Sequence, residues 1–302
     1  MAPSSGSPRG WAPLVWINGS ILPAAEARVS VFDRGLLLGD GVYETLLLRH
    51  GRLFRWREHE QRLWQSLSLA RISLPLASAA LAEAILACAS ANGLKEARVR
   101  LTVTRGEGGP GFERLAGAAP CVIIALGQAP PVPSETLREG VAAVVARIRQ
   151  TGRDNLDPAL KSISRIHLAL ARMEAEEAGA REAILLGSDG VLREGTASNL
   201  FMVRAGKLQT PSLECGILQG VTRGVVLELA ENRRIAWEEG RYGTEELHAA
   251  EEVFLTNTSW GVLPVGRLDG RSVGTGRSGP IALHLAAAIQ ELVDSECGGA
   301  QP

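Results

Sequence analysis

Long apolar runs, closely spaced cysteines and an excess of one charge are all missing from this chain of 302 residues. No apolar stretch approaches the roughly 20 residues needed to cross a bilayer. A net charge of −1 gives no electrostatic reason to expect nucleic acid or a membrane surface as a partner. The four cysteines are far apart and lack metal-binding or redox spacing, which predicts reduced, mostly structural thiols in a cytoplasmic protein without a bound metal. They are Cys88, Cys121, Cys215 and Cys297.

Lysine is the other scarce residue, because only Lys95, Lys161 and Lys207 among the 32 Lys and Arg residues are lysines. The first and last of these follow turn sequences, where a solvated amine needs no explanation. Lys161 instead follows a loop and precedes an apolar helical pattern, between Leu160 and Ile163. A partly desolvated lysine loses proton affinity and becomes a nucleophile able to form a Schiff base. The alternative at this point is a buried stem whose ammonium group reaches water.

Composition and the order of patterns predict a two-domain α+β protein. Apolar residues make up 45% of the chain and charged residues 22%, an ordinary globular profile. Strand and helix patterns are mixed in both halves, and clustered prolines form a stiff connector between them. The prediction is a disordered tail over residues 1–13, a small domain over 14–128, a linker over 129–134 and a larger domain over 135–302.

The first half of the sequence contains a predicted polar strand face and two arginines that are candidate binding residues. A glycine-rich turn opens a strand whose alternation places Tyr43 and Thr45 on one face, which either lines a site or is an ordinary wet face. Arg62 lies beside the apolar stripe of a helix, where it covers the edge of the core or turns toward an anion. Arg105 opens a glycine-rich loop, residues 105–112, that suits a substrate gate or a plain surface loop.

The second half adds a carboxylate and a helix start. Glu194 lies in a turn rich in Gly, Thr, Ser and Asn between apolar strands, an odd place for an unpaired carboxylate, although a solvated turn residue is the alternative. The run Gly220-Val221-Thr222 leads into a helix, so backbone amides and a hydroxyl point outward along the helix dipole toward an anion. Plain N-capping by Thr222 would also explain this run.

Together these elements are the amine, the acid and the anion pocket that pyridoxal phosphate requires. The chain resembles the class IV pyridoxal-phosphate aminotransferases (fold type IV) from about Trp16 to Leu292. The motifs that carry the resemblance are Asp33-Arg34-Gly35, Gly39-Asp40-Gly41, His59 to Leu63, Glu194-Gly195, Asn199-Leu200-Phe201, Thr210-Pro211, Gly216-Ile217-Leu218 and Gly220-Val221-Thr222-Arg223.

The resemblance implies a fold and a role for each matching residue. The fold is a small N-terminal α/β domain and a larger barrel-like C-terminal α/β domain, with the cofactor between them and a homodimer completing the site. Lys161 is the Schiff-base lysine and moves the proton between the substrate Cα and C4′ of the cofactor, while Glu194 pairs with the pyridine nitrogen. The reaction is two half-transaminations by a ping-pong route. The implied phosphate-binding residues are Arg62, Val221, Thr222 and Thr258, with Asn199 as a further cofactor-binding residue.

The chain is similar to three subfamilies of this family, each over different residues. Gly41-Val42-Tyr43-Glu44 is similar to the D-amino-acid aminotransferases, but the arginine-histidine pair of their flexible loop is missing around Pro110-Gly111. Branched-chain enzymes carry tyrosines where this chain has Leu38 and Ile166, although Arg100 matches their carboxylate-binding arginine. The aminodeoxychorismate lyases resemble the chain over Lys161 to Ile166, at Thr45, at Asn257 and in the loop, where Pro110 replaces their arginine.

The sequence therefore predicts a transaminase that moves an amino group between a D-amino acid and a 2-oxo acid, with R-amines as further substrates. The alternative is a 4-amino-4-deoxychorismate lyase that releases pyruvate, followed by a branched-chain L-amino-acid aminotransferase and a non-enzymatic binding protein. The predicted substrate-binding residues are Tyr43, Thr45, Arg98, Arg100, Arg105 and Asn257.

Overall fold

A computed structural model describes residues 10–109, 111, 119–152 and 154–298. Most of the predicted tail, together with Pro110, Phe112 and Arg153, lies outside the described residues. The described chain forms two compact units. Residues 10–130, 160–164 and 293–298 belong to unit 1, and residues 131–159 and 165–292 belong to unit 2.

Unit 1 is built on a six-stranded antiparallel sheet with the strand order β2-β1-β6-β5-β3-β4. Apolar side chains of the sheet and of the helices α2 and α3 form one buried core. The elements are β1 (Leu14–Ile17), β2 (Ser20–Pro23), α1 (Arg34–Leu38), β3 (Gly41–Arg49), β4 (Arg52–Leu53), α2 (Trp56–Leu69), α3 (Ser78–Ala91), β5 (Ala97–Thr104) and β6 (Cys121–Gly127).

The sequences Asn18-Gly19 and His50-Gly51 each predict a hairpin turn in unit 1, and both turns are confirmed. Asn18 and Gly19 have φ angles of 48° and 96°, and His50 and Gly51 have φ angles of 49° and 76°. Two successive left-handed residues form the turn whose twist matches antiparallel strands, and glycine adopts the second position without strain. These turns set the pairing of β1 with β2 and of β3 with β4.

The described end of the predicted tail is tied to β6. Trp11 forms a β-bridge with Gly127, and the amide of Ala12 donates to the carbonyl of Leu126 at 2.8 Å. Backbone pairing of this kind orders residues that composition alone assigned to a tail.

Unit 2 is built on a nine-stranded mixed sheet that is curled into a half-barrel. Its order is β12-β11-β10-β13-β14-β7-β8-β9, with β15 paired to β14. The β11–β12, β14–β7 and β7–β8 pairs are parallel, and the other pairs are antiparallel. The strands are β7 (Val141–Arg149), β8 (Glu182–Leu186), β9 (Leu192–Gly195), β10 (Asn199–Arg204), β11 (Lys207–Pro211), β12 (Trp237–Gly240), β13 (Glu252–Asn257), β14 (Gly261–Leu268) and β15 (Arg271–Ser272).

Five helices accompany this sheet, and the mixed α+β fold class is confirmed. The sequence predicts helices over about residues 164–178, 225–230 and 280–293, whose ends differ from those in the structure by up to four residues, within the usual uncertainty of helix ends. It does not predict the two short helices of this unit. The helices are α4 (Ser134–Glu139), α5 (Ile166–Glu177), α6 (Val221–Asn232), α7 (Thr244–His248) and α8 (Pro280–Cys297), the last of which ends in unit 1. In the part of the chain that the structure describes, no helix is both long and apolar enough to cross a membrane.

The short segment around Lys161 pairs with the beginning of β3, although it follows the predicted linker in sequence. Val42 and Ser162 form a β-bridge, and the amide of Ile163 donates to the carbonyl of Gly41 at 3.0 Å. A Cβ atom at Gly41 would lie 2.7 Å from the carbonyl oxygen of Val103 and 2.9 Å from Ile163. Glycine at position 41 therefore permits the close approach that brings Lys161 into unit 1.

Candidate active site

Lys161 is held beside β3 and α2 by its own backbone. Its amide donates to the Ser66 hydroxyl at 3.1 Å, and its carbonyl accepts from the amide of Tyr43 at 3.0 Å. The ammonium nitrogen lies 4.8 Å from the centre of the Tyr43 ring. The lysine is partly buried, and its amine lies against an aromatic face.

The predicted polar strand face exists and carries two arginines. Thr45 is opposite Arg100 across the β3–β5 pair, and Arg98 lies two residues earlier on the same face. The Arg100 guanidinium lies 3.4 Å from the centre of the buried Tyr43 ring, whereas the Arg98 guanidinium lies 5.7 Å from that of Trp11. The ring of Tyr43 therefore contacts both Arg100 and Lys161.

Arg100 is a partly buried cation. Burial lowers the pKa of its guanidinium to about 10, with Arg98 acting in the same direction and Glu44 in the opposite one. Its Nε atom donates to the Thr102 hydroxyl at 3.2 Å, and among the described carboxylates none forms an ion pair with it. A desolvated guanidinium in this position favours a bound anion.

Arg62 contacts the buried carboxylate of Glu44, a residue to which the sequence alone assigned no role. Its Nε and Nη2 atoms donate to the two oxygens of Glu44, both at 2.8 Å. The Nδ1 atom of His59 lies 2.8 Å from the same carboxylate. Glu44 shares its strand face with the core residues Val42 and Leu46. A carboxylate among apolar neighbours requires a buried partner, which is the sequence signal that could have revealed this cluster.

The charges of this cluster follow from the burial of all three side chains. Burial alone would raise the pKa of the Glu44 carboxyl, but Arg62 and His59 together hold it well below its usual range. Burial lowers the pKa of His59, so the imidazole is neutral near pH 7 and Nδ1 donates its hydrogen to Glu44. The bidentate contact fixes the orientation of the Arg62 guanidinium.

The Arg105 side chain forms hydrogen bonds to other residues of unit 1. Its guanidinium donates to both oxygens of Asp40, at 2.5 and 3.0 Å, and to the carbonyls of Ala70 and Arg71, at 2.7 and 2.9 Å. The side chain is 8% exposed. These bonds favour a role in anchoring the start of the loop over the predicted contact with substrate.

In unit 2, Glu194 lies in β9 and is 9% exposed. Its Oε1 atom accepts from the Gln150 amide at 3.0 Å. Its Oε2 atom accepts from the Asn199 side chain at 3.2 Å and from the Leu218 backbone amide at 3.1 Å. Donors on both oxygens favour the ionised carboxylate. The sequence indicated Glu194 and Asn199 and placed Leu218 in a family motif, but nothing in the local pattern indicated Gln150, which reaches Glu194 only through the fold.

The predicted anion cradle lies at the start of α6. The cap of this helix is Gly220, so Thr222 lies in the first turn and the alternative role as an N-cap is wrong. The first amides of a helix have no helical acceptor and point along the positive end of its dipole. A Cβ atom at Gly220 would overlap the side-chain oxygen of Asn199. The side-chain nitrogen of Asn199 in turn donates to the carbonyl of Leu218 at 2.9 Å, which ties the helix start to Glu194.

Asn257 and Thr258 stand at the end of β13. The side-chain oxygen of Asn257 accepts from the amides of Ser259 and Trp260, at 2.8 and 3.1 Å. Its nitrogen donates to the carbonyl of Ala197 at 3.0 Å. Asn257 thus shapes the turn that presents Thr258, which is half-buried.

A second buried carboxylate supports the turn between Glu194 and Asn199. Glu182 is fully buried and accepts from the hydroxyls of Thr196 and Ser198 and from the amide of Thr196. Arg165 donates to the carbonyl of Thr196 at 2.6 Å. Burial lowers the pKa of Arg165, against the opposing effects of Glu194 and Glu182.

The donor sets of the two units fit pyridoxal phosphate by their chemistry. Unit 1 has an amine beside an aromatic ring and a fixed, buried guanidinium. Unit 2 has an ionised carboxylate and the start of a 12-residue helix whose glycine cap cannot carry a side chain. A Schiff-base amine, a partner for a protonated pyridine and phosphate donors are the groups that this cofactor needs.

Fold and donor sets together define a pyridoxal-phosphate-dependent enzyme of fold type IV. The family model for amino-transferase class IV matches residues 41–268, and the chain belongs to this family. The predicted family, cofactor and enzyme class are confirmed. The substrates are an amino acid and a 2-oxo acid.

Similar proteins carry two different substrate names. A putative branched-chain-amino-acid aminotransferase of Methanocaldococcus jannaschii is 35% identical, with 92% of this chain and 96% of that protein covered. The D-alanine aminotransferase of Bacillus licheniformis is 33% identical, with 93% and 98% covered. The crystal structure of the T.th. branched-chain amino acid aminotransferase with pyridoxamine 5′-phosphate matches with a TM-score of 0.90 at 31% identity, over 94% of this chain and 95% of that one.

Proposed function

We propose that this aminotransferase moves an amino group between a D-amino acid and a 2-oxo acid by a ping-pong route. The observation that carries the proposal is the stack of Arg100, Tyr43 and Lys161 in unit 1, with distances of 3.4 and 4.8 Å to the Tyr43 ring. A cation and a phenol beside the reactive amine suit a substrate that bears a carboxylate next to its amino group.

Each residue near the reacting atoms has one proposed task. When bound, pyridoxal phosphate supplies the aldehyde that takes the amino group and a ring that accepts the electrons of the broken Cα–H bond. Lys161 supplies the amine that reacts with this aldehyde and holds the proton removed from Cα. Glu194 keeps a proton on the pyridine nitrogen. Arg62, the start of α6 at Val221 and Thr222, and Thr258 hold the phosphate.

The substrate carboxylate is assigned to Arg100, with Tyr43 and Thr45 beside it. Dehydration strengthens the attraction of Arg100 for an anion, and its pKa of about 10 keeps it charged at neutral pH. Arg98 and Asn257 remain secondary candidates, because Arg98 lies over Trp11 and Asn257 bonds within its own turn.

The preference for D-amino acids is supported by the Gly41-Val42-Tyr43-Glu44 run and by the similarity to the D-alanine aminotransferase of B. licheniformis. A branched-chain L-amino-acid activity is the second candidate, favoured by Arg100 and by the names of the other relatives. Against it, Ile166 is 73% exposed at a position where the branched-chain enzymes carry a tyrosine.

The visible spectrum of the purified protein tests the proposal. We expect a yellow protein that is bleached by D-alanine or D-glutamate and restored by 2-oxoglutarate. Bleaching by L-leucine alone would assign the branched-chain activity instead. A yellow protein that ignores all three amino acids and releases pyruvate from aminodeoxychorismate without an amino acceptor would be a lyase.

We further propose a homodimer, supported by apolar side chains on the surface of each unit. In unit 1 the segment around α1 exposes Val31, Phe32 and Leu36 to between 63% and 67%. In unit 2 one face of α5 exposes Ile166, Leu170 and Met173. Exposed apolar clusters of this kind suit a second copy of the chain. Light scattering on the eluting protein should give twice the chain mass of 32.0 kDa.

A cytoplasmic location is also proposed, and the cysteines support it. All four thiols are buried and unpaired. Unpaired thiols suit a reducing compartment, where disulfides rarely persist. Fractionation of the native cells with an antibody to the protein would test the location, and recovery from an extracytoplasmic fraction would contradict it.

A further inference from the structure

A chain of two side chains leads from the Glu194 carboxylate to the start of α5. Gln150 Nε2 is 3.0 Å from Glu194 Oε1, and Gln150 Oε1 is 3.0 Å from His167 Nε2. We propose that Gln150, itself oriented by His167, is a positioning residue for Glu194. This inference rests on the proposed role of Glu194 as the partner of the pyridine nitrogen.

The direction of the hydrogen bonds follows from the carboxylate. An ionised carboxylate only accepts, so the Gln150 amide must turn its NH2 group toward Glu194 and its carbonyl toward His167. The carbonyl then requires a hydrogen on His167 Nε2. Burial, followed by the charge of Arg165, lowers the pKa of His167, so the neutral imidazole supplies this hydrogen from one tautomer.

Both ends of the chain are anchored in regular structure. Gln150 directly follows β7, and its amide donates to the carbonyl of Leu186 in β8 at 2.9 Å. His167 is the second residue of α5, a helix that packs through Ala171 and Ala175 on the neighbouring strands. Glu194 lies in β9, which pairs with β8. The three side chains therefore meet across adjacent elements of one sheet and its covering helix.

Gln150 binds a different oxygen of Glu194 from the one that Asn199 and Leu218 bind. Asn199 and Leu218 both bind Oε2, which alone would leave the carboxylate able to rotate about its last bond. The bond from Gln150 holds Oε1 and so fixes the plane of the carboxylate. A carboxylate whose orientation is set in advance loses less conformational freedom when a ligand binds.

The test compares six variants by two measurements. The first is the dissociation constant of pyridoxamine phosphate, measured by calorimetry on the full chain freed of cofactor. The second is the pH midpoint of the visible absorbance of the loaded protein. The variants are Gln150→Leu, His167→Phe, the combination of both, His167→Gln, Glu194→Gln and the control Gln209→Leu. Gln209 donates to Glu238 at 2.6 Å, so the control breaks a matching glutamine–glutamate bond in the same unit.

We expect Gln150→Leu to weaken pyridoxamine phosphate binding about 3- to 10-fold, the effect of one hydrogen bond, and to move the pH midpoint. His167→Phe should act in the same direction but more weakly, and it should add nothing to Gln150→Leu because it acts through Gln150. His167→Gln keeps a donor and should restore both values. Gln209→Leu should leave both unchanged.

The inference is overturned if Gln150→Leu matches the control, or if His167→Phe has its full effect in the chain that already carries Gln150→Leu. Should Gln150→Leu fail to fold, His167→Phe at the half-buried outer end still decides the matter, since an unchanged binding constant and midpoint would overturn it. The Glu194→Gln variant distinguishes a failure of the proposed role of Glu194 from a failure of the positioning role of Gln150. If this variant also changes nothing, the proposed role of Glu194 fails; if it shifts both values while Gln150→Leu does not, only the positioning role fails.

Discussion

The two units hold their buried carboxylates in different ways. Glu44 in unit 1 is clamped by the guanidinium of Arg62 and by His59, so its charge is balanced where it stands. Glu194 in unit 2 receives hydrogen bonds from the amides of Gln150, Asn199 and Leu218. Amides stabilise a negative charge without cancelling it. The ion pair fixes the orientation of the Arg62 guanidinium, whereas the three amides fix the orientation of the Glu194 carboxylate.

The largest expected effect comes from Lys161→Ala, which removes the amine of unit 1 and leaves the donors of unit 2 intact. Turnover should fall by at least about 10³-fold, because the nucleophile and the proton carrier are lost together. The visible band should disappear, while pyridoxamine phosphate should still bind. Kinetics, absorbance and calorimetry check these points, with Lys207→Ala as the control. Retained turnover in the Lys161 variant would contradict the proposed chemistry.

The contrast between the carboxylates predicts a large loss of stability for Glu44→Gln. This change leaves the Arg62 guanidinium, 7% exposed, without its counter-charge, which costs about 3–5 kcal/mol in the free energy of unfolding. Urea titration measures the loss. The exposed pair of Arg49 and Glu96 supplies the control, since Glu96→Gln should cost less than about 1 kcal/mol. Equal losses for Glu44→Gln and Glu194→Gln would remove the contrast between the units.

The assignment of the substrate carboxylate to unit 1 is tested by Arg100→Gln. Loss of a charged hydrogen-bonding partner should lower kcat/KM for amino acids about 10- to 100-fold. An R-amine without a carboxylate should show no such loss. Arg98→Gln, on the same strand face, tests the secondary candidate and should lower kcat/KM less than Arg100→Gln. A loss that is equal for the amine and the amino acid would assign Arg100 a structural role.

The smallest expected effects are the changes in stability caused by alanine substitutions at two glycines near the start of α6. Gly220→Ala should cost about 1–3 kcal/mol of stability, because the new methyl group would overlap the side chain of Asn199. Gly224 lies inside the same helix, and a Cβ atom there would meet open space, so Gly224→Ala should stabilise the protein by about 0.5–1 kcal/mol. Thermal unfolding of both variants measures the difference. Similar melting temperatures would mean that the cap has room to relax.

Local patterns predicted much of the framework because their causes are local. The hairpin at Asn18-Gly19 follows from two left-handed residues, and the placement of Tyr43 and Thr45 on one face follows from the two-residue period of a strand. A helix after the run Gly220-Val221-Thr222 was also predicted from local sequence, and it begins at Val221. These are properties of a few neighbouring residues, and the structure contains each of them.

Such patterns could not predict hydrogen-bonding partners that are distant in sequence. Glu44 and Arg62 are 18 residues apart, and Gln150 and Glu194 are 44 apart. Arg105 illustrates the limit, because a loop arginine suggested a substrate contact whereas the fold pairs it with Asp40, 65 residues away. No local periodicity carries information of this kind.

By itself, the amino-acid sequence determined the α+β class, the family and the scarce lysine, since these depend on composition and short motifs. The tertiary structure alone decided which charged groups are buried and which groups each of them contacts. That decision depends on burial and on contacts between distant strands and helices. The energy of a charge changes several-fold between water and a dry interior, so the same residue types serve as structural clamps in one place and as candidate active-site groups in another.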